Sequence, residues 1–511
     1  MWRTLKNIGR LVWVAWTLGR YDALFLITDA KIALSVTWIA GLAPKRRGLG
    51  GRGARLAAAL QVLGPSFIKF GQALSTRPDL IGEEVAYELS ELQDRLPPFS
   101  GEAAKRIVER EFNVPLNELF SEFDIEPVAA ASIAQVHLAR TIKGDEVAVK
   151  ILRPGIEKAF SRDLELFYWL AALSERALPA WRRLKPVKVI RTFAESVAME
   201  MDLRIEAAAA SEIRENFNDD EMYRVPAVDW KRTSQRVMTL ERIKGVSIDE
   251  HTKLIAAGHD PREILKIAAG AFFRQVFEDG FFHADLHAGN LLVDDQGRVN
   301  AVDFGIMGRL DRDTRRYLAE MLLGFLGRDY ERVAEVHFEA GYVPRDKSKA
   351  AFTQAIRSIG EPILGKPLHE ISLGILLGHL FKVTKAFEME TQPQLLLLQK
   401  SLLMAEGLCR RLSPEENMWA LAHPQIERWA RQNLGAEARV KYAMADAVAV
   451  LSRLPRILER AELALEKFEN GELPYMEVSQ RTAKSNRCAG IHLAFGLIGG
   501  LLAALLILQL V

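Results

Sequence analysis

In the segment HADLHAGN, residues 283–290, Asp285 stands five positions before Asn290, and a second carboxylate, Asp303 in VDFG, follows thirteen positions later. An amide oxygen and a carboxylate are hard oxygen ligands for Mg²⁺, while an aspartate on a rigid loop can accept a proton or orient an attacking group. A DFG triplet alone is common; DxxxxN with DFG downstream across a short hairpin is far more restrictive. Upstream, a run ending VAVK supplies Lys150, whose ammonium can neutralise phosphate charge when a carboxylate on a following helix holds it. Glu206 can be that carboxylate. The competing reading of Lys150 is a solvated cation at a strand end. Glu200, Asp202 and Glu206 fall on one expected helix, with Asp202 and Glu206 on one face and Glu200 about 120° from Glu206, so two different partners are expected. A solvated acidic face is the alternative for Glu200 and Asp202. His283 and His287 flank Asp285 in HxDxH order. Nucleotide-bound Mg²⁺ favours oxygen, so these imidazoles are expected to brace the loop through hydrogen bonds rather than to bind metal.

The elements that must carry these residues are legible as changes of period. Residues 56–125 read as helices, with apolar spacings of three and four in LAAALQVLGPSFIKFGQALS, until Pro97 and Pro98 interrupt. Between Val128 and Lys150 the pattern alternates around a KGD turn, which predicts a β-hairpin. Helices are expected over 155–180 and 187–217, short strands in YRVPAVDW and QRVMTLERIKG, and helix almost throughout from Pro261. The exception is Phe281 to Met307, where LLVDD and VNAVDFG flank a turn at Gln296 and Gly297.

Composition bounds the rest. The chain has 511 residues, enough for two to four domains at about 150 residues each. With 68 basic and 66 acidic residues, the formal charge of +2 offers no global field for nucleic acid. Cys409 and Cys488 are the two cysteines and belong to no metal-binding pattern, which excludes a disulfide scaffold or zinc site and makes a reducing compartment the default. Gly48, Gly50 and Gly53 are spaced as GxGxxG, but Pro44 and three cations precede them where a dinucleotide fold needs an apolar strand.

The ends point to a membrane. Ala489 to Val511 is uncharged and long enough to cross about 30 Å of hydrocarbon, while Lys484 and Arg487 favour keeping the preceding chain in the cytoplasm. Gly496 and Gly500 form a GxxxG that can admit close helix pairing and hence a homodimer, although such glycines are commonly just tolerated. The N-terminus lacks the features of a secretory signal. Trp2, Trp13, Trp16 and Trp38, interleaved with Arg3, Lys6, Arg10, Arg20 and Lys31, suit either interfacial helices or packing on the protein's own core. The basic run PKRRGLGGRGAR suits lipid headgroups or a solvated linker equally.

KFGQ at 69–72 followed by STRPDL, VAAASIAQVHLA at 128–139, VAVK, MEMDLRIEAA at 199–208, HADLHAGN and VDFG together resemble the UbiB/ABC1/ADCK family of atypical kinase-like proteins over about residues 60–310. The resemblance implies an α+β, protein-kinase-like two-lobe fold that binds ATP or ADP with Mg²⁺ and serves ubiquinone biosynthesis at a membrane. It implies nucleotide contacts along Val128, Ala129, Ala130, Ala131, Ser132, Ile133, Ala134, Gln135 and Val136 and at Lys150, with Glu206 as its helical partner. Asp285 becomes the proton acceptor, Asn290 and Asp303 the Mg²⁺ ligands, and Lys69 of the KxGQ motif, with Gln72 beside it, meets Glu200 or Asp202 of the ExD motif.

The departures from ordinary protein kinases are physical. Alanines replace the glycines that let backbone N–H groups approach phosphate, restricting positive φ and adding methyl groups; Ser132 is a candidate N-cap of a short helix there. After DFG a helix opens at Asp311 or Asp313, leaving no room for a peptide platform. The expected organisation is an interfacial, basic segment 1–55, a helical KxGQ extension 56–125, a kinase-like N-lobe 126–245 with an Ala-rich loop, a helical C-lobe 246–480 and a transmembrane helix 489–511. The function expected is that of a kinase-like ATPase at the bacterial inner membrane, its kinase-like domain in the cytoplasm. Membrane lipids, polyprenylated quinone precursors and other ubiquinone-biosynthesis enzymes are the expected partners, and nucleic acid is not. The alternatives are a small-molecule or lipid kinase and a pseudokinase scaffold.

Overall fold

Small residues let the first helices pack before any strand forms. Helices α1 (Trp2–Arg20), α2 (Arg52–Leu63), α3 (Pro65–Ser75) and α4 (Glu83–Ser90) make an all-helical layer. Gly71, the glycine of KFGQ, lies where α3 meets its neighbours: a Cβ there would stand 2.5 Å from Leu60 Cδ1 and 2.9 Å from Leu92 Cδ2, so any side chain would push the helices apart. Gly53 lies inside α2, whose first-turn N–H groups at Gly53 and Ala54 donate to the Glu88 carboxylate, so this last glycine of the GxGxxG spacing belongs to a capped helix; Gly48 lies outside the described residues. The computed structural model describes residues 2–25, 43–46, 50–75, 81–90, 92, 96–177, 186–364, 383–384, 386–389, 392–413, 415–416 and 418–434.

Helix α5 (Gly101–Phe112) opens on Ser100, whose Oγ accepts the Ala103 N–H. After α6 (Leu116–Leu119) come β1 (Phe120–Phe123), β2 (Ala129–Ala130), β3 (Ala134–Thr141) and β4 (Glu146–Leu152). The β3–β4 hairpin turns at Gly144, whose φ of 93° only glycine adopts easily. With β6 (Val237–Glu241) these strands form one five-stranded sheet of order β1-β3-β4-β6, β2 pairing with β3. Side chains alternate across β4, so Val147, Val149 and Ile151 sink into a core with Ala104, Ile107 and Val108 of α5, leaving Lys150 on the other face. Helix α5 and strand β1 therefore belong to the kinase-like N-lobe. The boundary expected near residue 126 lies further toward the N-terminus, because β1 pairs with β3 and α5 shares its core with β4.

Helices α7 (Ile156–Ala177), α8 (Pro186–Glu200) and α9 (Leu203–Asn216) follow. The single helix expected over 187–217 is broken: Asp202 adopts an extended conformation and caps α9, its carboxylate accepting the Arg204 N–H at 3.1 Å. An aspartate offers the backbone this alternative wherever a cap is needed. The N-terminal helices, α7, α8 and the start of α9 share one apolar core.

Strand β5 (Tyr223–Arg224) pairs in parallel with β10 (Val299–Ala301) of the second lobe, although it falls within the residues 126–245 expected in the first, while β6 further along stays in the first-lobe sheet. Strands β7 (Val246–Ser247), β9 (Leu291–Val293), β10 and β5 form a four-stranded sheet, and β8 (Phe281–His283) pairs with β11 (Met307–Arg309). Around them lie α10 (His251–Ala256), α11 (Pro261–Arg274), α12 (Arg312–Leu326), α13 (Tyr330–Glu339), α14 (Lys349–Leu364), α15 (Pro393–Leu412) and α16 (Met418–Leu434).

On α1, Arg10 pairs with buried Asp163 of α7 at 3.0 Å while Val12, Trp13 and Trp16 are exposed, so the helix docks on the core and keeps an apolar outer face. Among the described residues no helix is long and apolar enough to cross a membrane. The expected span 489–511 lies outside them, as do Trp38, Lys31, residues 76–80 of STRPDL and Cys488.

One pH effect follows from the core. His337 of α13 is buried, its Nδ1–H donating to the Val333 carbonyl at 2.8 Å, and burial lowers its pKa below the ordinary 6.5. The unfolded chain thus takes a proton that the native chain refuses, and His337 removes stability as pH falls below 6.5. Replacing His337→Gln should flatten the stability–pH curve there by up to about 1.4 kcal/mol per pH unit, read as the difference in slope between parent and variant in urea unfolding.

Candidate nucleotide site

The alternation that buries Val149 and Ile151 sends Lys150 toward α9, where its Nζ lies 2.6 Å from Glu206 Oε1 and 3.4 Å from Asp303 Oδ1. Burial alone would lower the Lys150 ammonium, but Asp303 and Glu206 outweigh it and the net shift is upward. Burial raises Glu206 to about 7 despite Lys150. Burial also opposes ionisation of Asp303, yet Lys150, the Gly305 N–H at 3.0 Å and His283 hold it well below the usual carboxylate range. The arrangement is one ammonium between two carboxylates of opposite tendency, with Asp303 the permanent anion.

The HADLHAGN loop is tied to DFG through backbone. Buried His283 takes the Asp285 N–H on Nδ1 at 3.1 Å, so its Nε2–H donates to the Asp303 carbonyl. His287 Nδ1 accepts the Gly289 N–H at 3.1 Å and starts the 3₁₀ turn Ala288–Asn290. Both imidazoles brace the loop. Asn290 Nδ2 donates to the Asp285 carbonyl at 3.0 Å, and the Val302 N–H donates to the Asn290 carbonyl at 3.0 Å, which brings the neighbour of Asp303 against Asn290. Among the described residues no group of three or more His, Cys, Asp or Glu side chains can hold a metal ion by itself. The donor set, an amide oxygen and a carboxylate beside an ammonium, fits a divalent cation completed by phosphate oxygens and water.

The Ala-rich segment differs from one of the expectations. Ala129 and Ala130 pair with Val136 and Gln135 as strand, and the turn that follows closes with the Ala131 N–H on the Ala134 carbonyl at 2.8 Å. Ser132 opens no helix; its side chain is buried and its Oγ has no hydrogen-bond partner among the described residues. None of residues 128–136 has positive φ, as the methyl groups require. The turn is held by Arg153, whose Nε and Nη2 donate to the Ala131 carbonyl at 3.0 and 2.8 Å while Nη1 reaches Pro97 O at 2.9 Å. Gln135, expected to contact nucleotide, is buried and its side-chain amide is bonded to Phe99 and His137. Val128 is exposed at the edge.

Lys69 Nζ meets Glu200 Oε2 at 2.9 Å, both largely buried, whereas Asp202 pairs with Arg204 at 2.6 Å. Of the two acids considered for Lys69, Glu200 is the partner, because the break at Asp202 turns that carboxylate to its own helix. Phe70 stacks on Phe167 at 4.8 Å, and the Gln72 Oε1 is buried without a hydrogen-bond partner among the described residues. Glu200 ends α8, and after the two residues Met201 and Asp202 comes α9, the helix that carries Glu206, so the Lys69–Glu200 pair ties the KxGQ helix to the entry of that helix. Asp311, rather than Asp313, caps α12, accepting the Thr314 N–H at 2.7 Å, which leaves residues 306–311 as the whole connection after DFG.

Two cations of the site escaped the sequence reading. Arg153 follows VAVKIL directly, in the junction between the expected strand and the helix expected after Pro154, where no pattern marks it. Lys400 of α15 reaches Asp285 Oδ1 at 2.9 Å; 115 residues separate them and no local spacing marks the lysine.

A lysine–glutamate pair on a strand and following helix, with Asp, Asn and DFG on the second lobe, defines a kinase-like protein of atypical kind. Residues 91–337 match the ABC1 atypical kinase-like domain and residues 356–417 the UbiB helical domain. The chain is 42% identical over 446 residues to Probable protein kinase UbiB of Marinobacter nauticus, covering 86% of this chain and 81% of that protein. To the protein of the same name from Aeromonas hydrophila subsp. hydrophila it is 45% identical over 399 residues, covering 77% and 73%. Among solved structures, Rv3197 of Mycobacterium tuberculosis, determined in complex with erythromycin, is similar at 25% identity and a TM-score of 0.46, over 70% of this chain and 96% of that one. The chain thus belongs to the UbiB group of the ABC1 atypical kinase-like family.

Proposed function

We propose that this chain is a membrane-anchored, Mg²⁺-dependent kinase-like ATPase of the bacterial inner membrane that supports ubiquinone biosynthesis, giving soluble enzymes access to polyprenylated precursors. The observation that carries the catalytic part is the Lys150–Glu206–Asp303 cluster beside the Asp285–Asn290 loop. Lys150 would offset charge on the α- and β-phosphates, and Asn290 and Asp303 would hold the divalent cation, which when bound would spread the charge developing on the transferred phosphoryl group. Asp285 orients the attacking water and receives its proton as the water oxygen bonds to the γ-phosphorus and the bond to the β-bridging oxygen breaks; ADP leaves, and the proton passes to solvent. The six-residue connection after DFG supports water or a small acceptor over a protein substrate.

The ubiquinone reading rests on the family, and membrane anchoring on the uncharged 489–511 segment, with exposed Trp13 and Trp16 on α1 as a second contact. Phosphate release from the full chain, with and without vesicles and quinone-like phenols, tests it. Release stimulated by vesicles or phenol is expected. Transfer of labelled phosphate to the phenol would instead make the chain a small-molecule kinase, and no turnover would leave a scaffold. Deleting residues 489–511 should free most of the protein from membranes with nucleotide affinity unchanged; retention after a carbonate wash would remove that segment as the principal anchor.

A further inference from the structure

We infer that Lys400 is a positioning residue of the phosphoryl-transfer centre, supplied to Asp285 by the helical region that follows the kinase-like domain; the inference rests on the ATPase reading above. Asp285 is held at four points: its N–H by His283, its carbonyl by Asn290 Nδ2 at 3.0 Å, its carboxylate Oδ2 by the same amide at 3.5 Å and its carboxylate Oδ1 by Lys400 at 2.9 Å. Of these, the Lys400 contact is the one that brings a charge to the carboxylate that must act. The loop residues between Asp285 and Asn290 are Leu286, His287, Ala288 and Gly289, none of them a permanent cation, and His287 is committed to the Gly289 N–H. Lys150 is committed to Glu206 and Asp303. An anionic carboxylate next to a γ-phosphate repels it unless a nearby cation compensates. Among the described residues, Lys400 is the cation in contact with the Asp285 side chain.

Its placement is rigid. Leu398, Leu408, Cys409 and Leu412 of α15 lie in the same apolar core as Phe281, Phe282, Ala284, Leu286 and Phe304, so the helix and the loop-bearing strand are packed as one body. The next residue, Ser401, is fully buried and bonds back to the Leu397 carbonyl at 2.9 Å. The Lys400 side chain is 20% exposed and that of Asp285 32%, which leaves the pair reachable from solvent. A lysine rooted in a packed helix holds a carboxylate in one rotamer and offsets its charge.

The test is steady-state phosphate release by the full chain in vesicles with Mg-ATP, rates normalised to the folded fraction from thermal unfolding. Lys400→Gln should lower kcat about tenfold or more with KM for ATP within about twofold, and Lys400→Arg should recover most of the rate. Asp285→Asn should cost more, about a hundredfold, and adding Lys400→Gln to it should cost nothing further, since a lysine that acts through Asp285 has no charge left to hold. Wild-type kcat in Lys400→Gln, failure of Lys400→Arg to recover it, or losses that multiply in the double variant would each overturn the inference while leaving the ATPase reading intact. No turnover by the wild-type chain would overturn both.

Discussion

Asp303→Asn should weaken Mg-ATP binding by about tenfold to a hundredfold, whereas Asp285→Asn should change it by less than about threefold. The reason is the difference in their surroundings. Asp303 is kept ionised by Lys150 and the Gly305 N–H, beside Asn290, where a divalent cation needs a permanent negative oxygen. Asp285 is instead paired with Lys400, its Oδ1 2.9 Å from the Nζ. Removing the Asp303 charge leaves Lys150 its stronger contact with Glu206, so the fold should be spared. Calorimetric titration of ATP with and without Mg²⁺ separates the roles. Without the metal the two variants should agree within about twofold, and equal losses in its presence would refute the division.

Lys150→Met should lower stability by about 3–5 kcal/mol, because it leaves buried Glu206 facing the partly exposed Asp303 with no cation between them. The loss should shrink as pH falls. Burial already raises Glu206 to about 7 in the native protein, and without Lys150 it takes a proton more readily, which removes the repulsion. A group whose pKa is raised by folding favours the folded state at low pH and loses that contribution as pH rises through its native value. Thermal unfolding at pH 6 and pH 8 checks the sign. Adding Glu206→Leu should restore a large part of the stability at pH 8, since a dry apolar side chain then replaces an unpaired charge. A loss equal at both pH values and unrelieved by Glu206→Leu would show that Lys150 matters through its packed stem alone.

Short-range pattern sufficed where one periodicity dominates. The alternation in EVAVKIL places Lys150 opposite Val149 and Ile151 whatever else the chain does, and apolar spacing marks most of the helices. Types at fixed spacing likewise sufficed for Asp285, Asn290 and Asp303, because the loop that joins them is only eight residues and the hairpin after it is short. Two chain breaks were illegible for the same local reason. Asp202 suits a helix interior poorly and a cap well, and pattern alone does not say which, so α8 and α9 read as one helix. Ser132 carries the residue type of an N-cap, yet Arg153 holds the preceding carbonyl and the chain turns instead.

Sequence alone therefore determined the inventory of chemistry: which residues are carboxylate, amide or ammonium, which face of a strand or helix each occupies, and, with the other motifs, the family. Tertiary structure decided the pairings. Glu200 rather than Asp202 meets Lys69, α5 and β1 complete the first-lobe sheet, and Lys400 arrives at Asp285 from a helix 115 residues away. Those outcomes depend on which apolar faces are buried against each other across long separations, a collective property of the core with no signature at any one position.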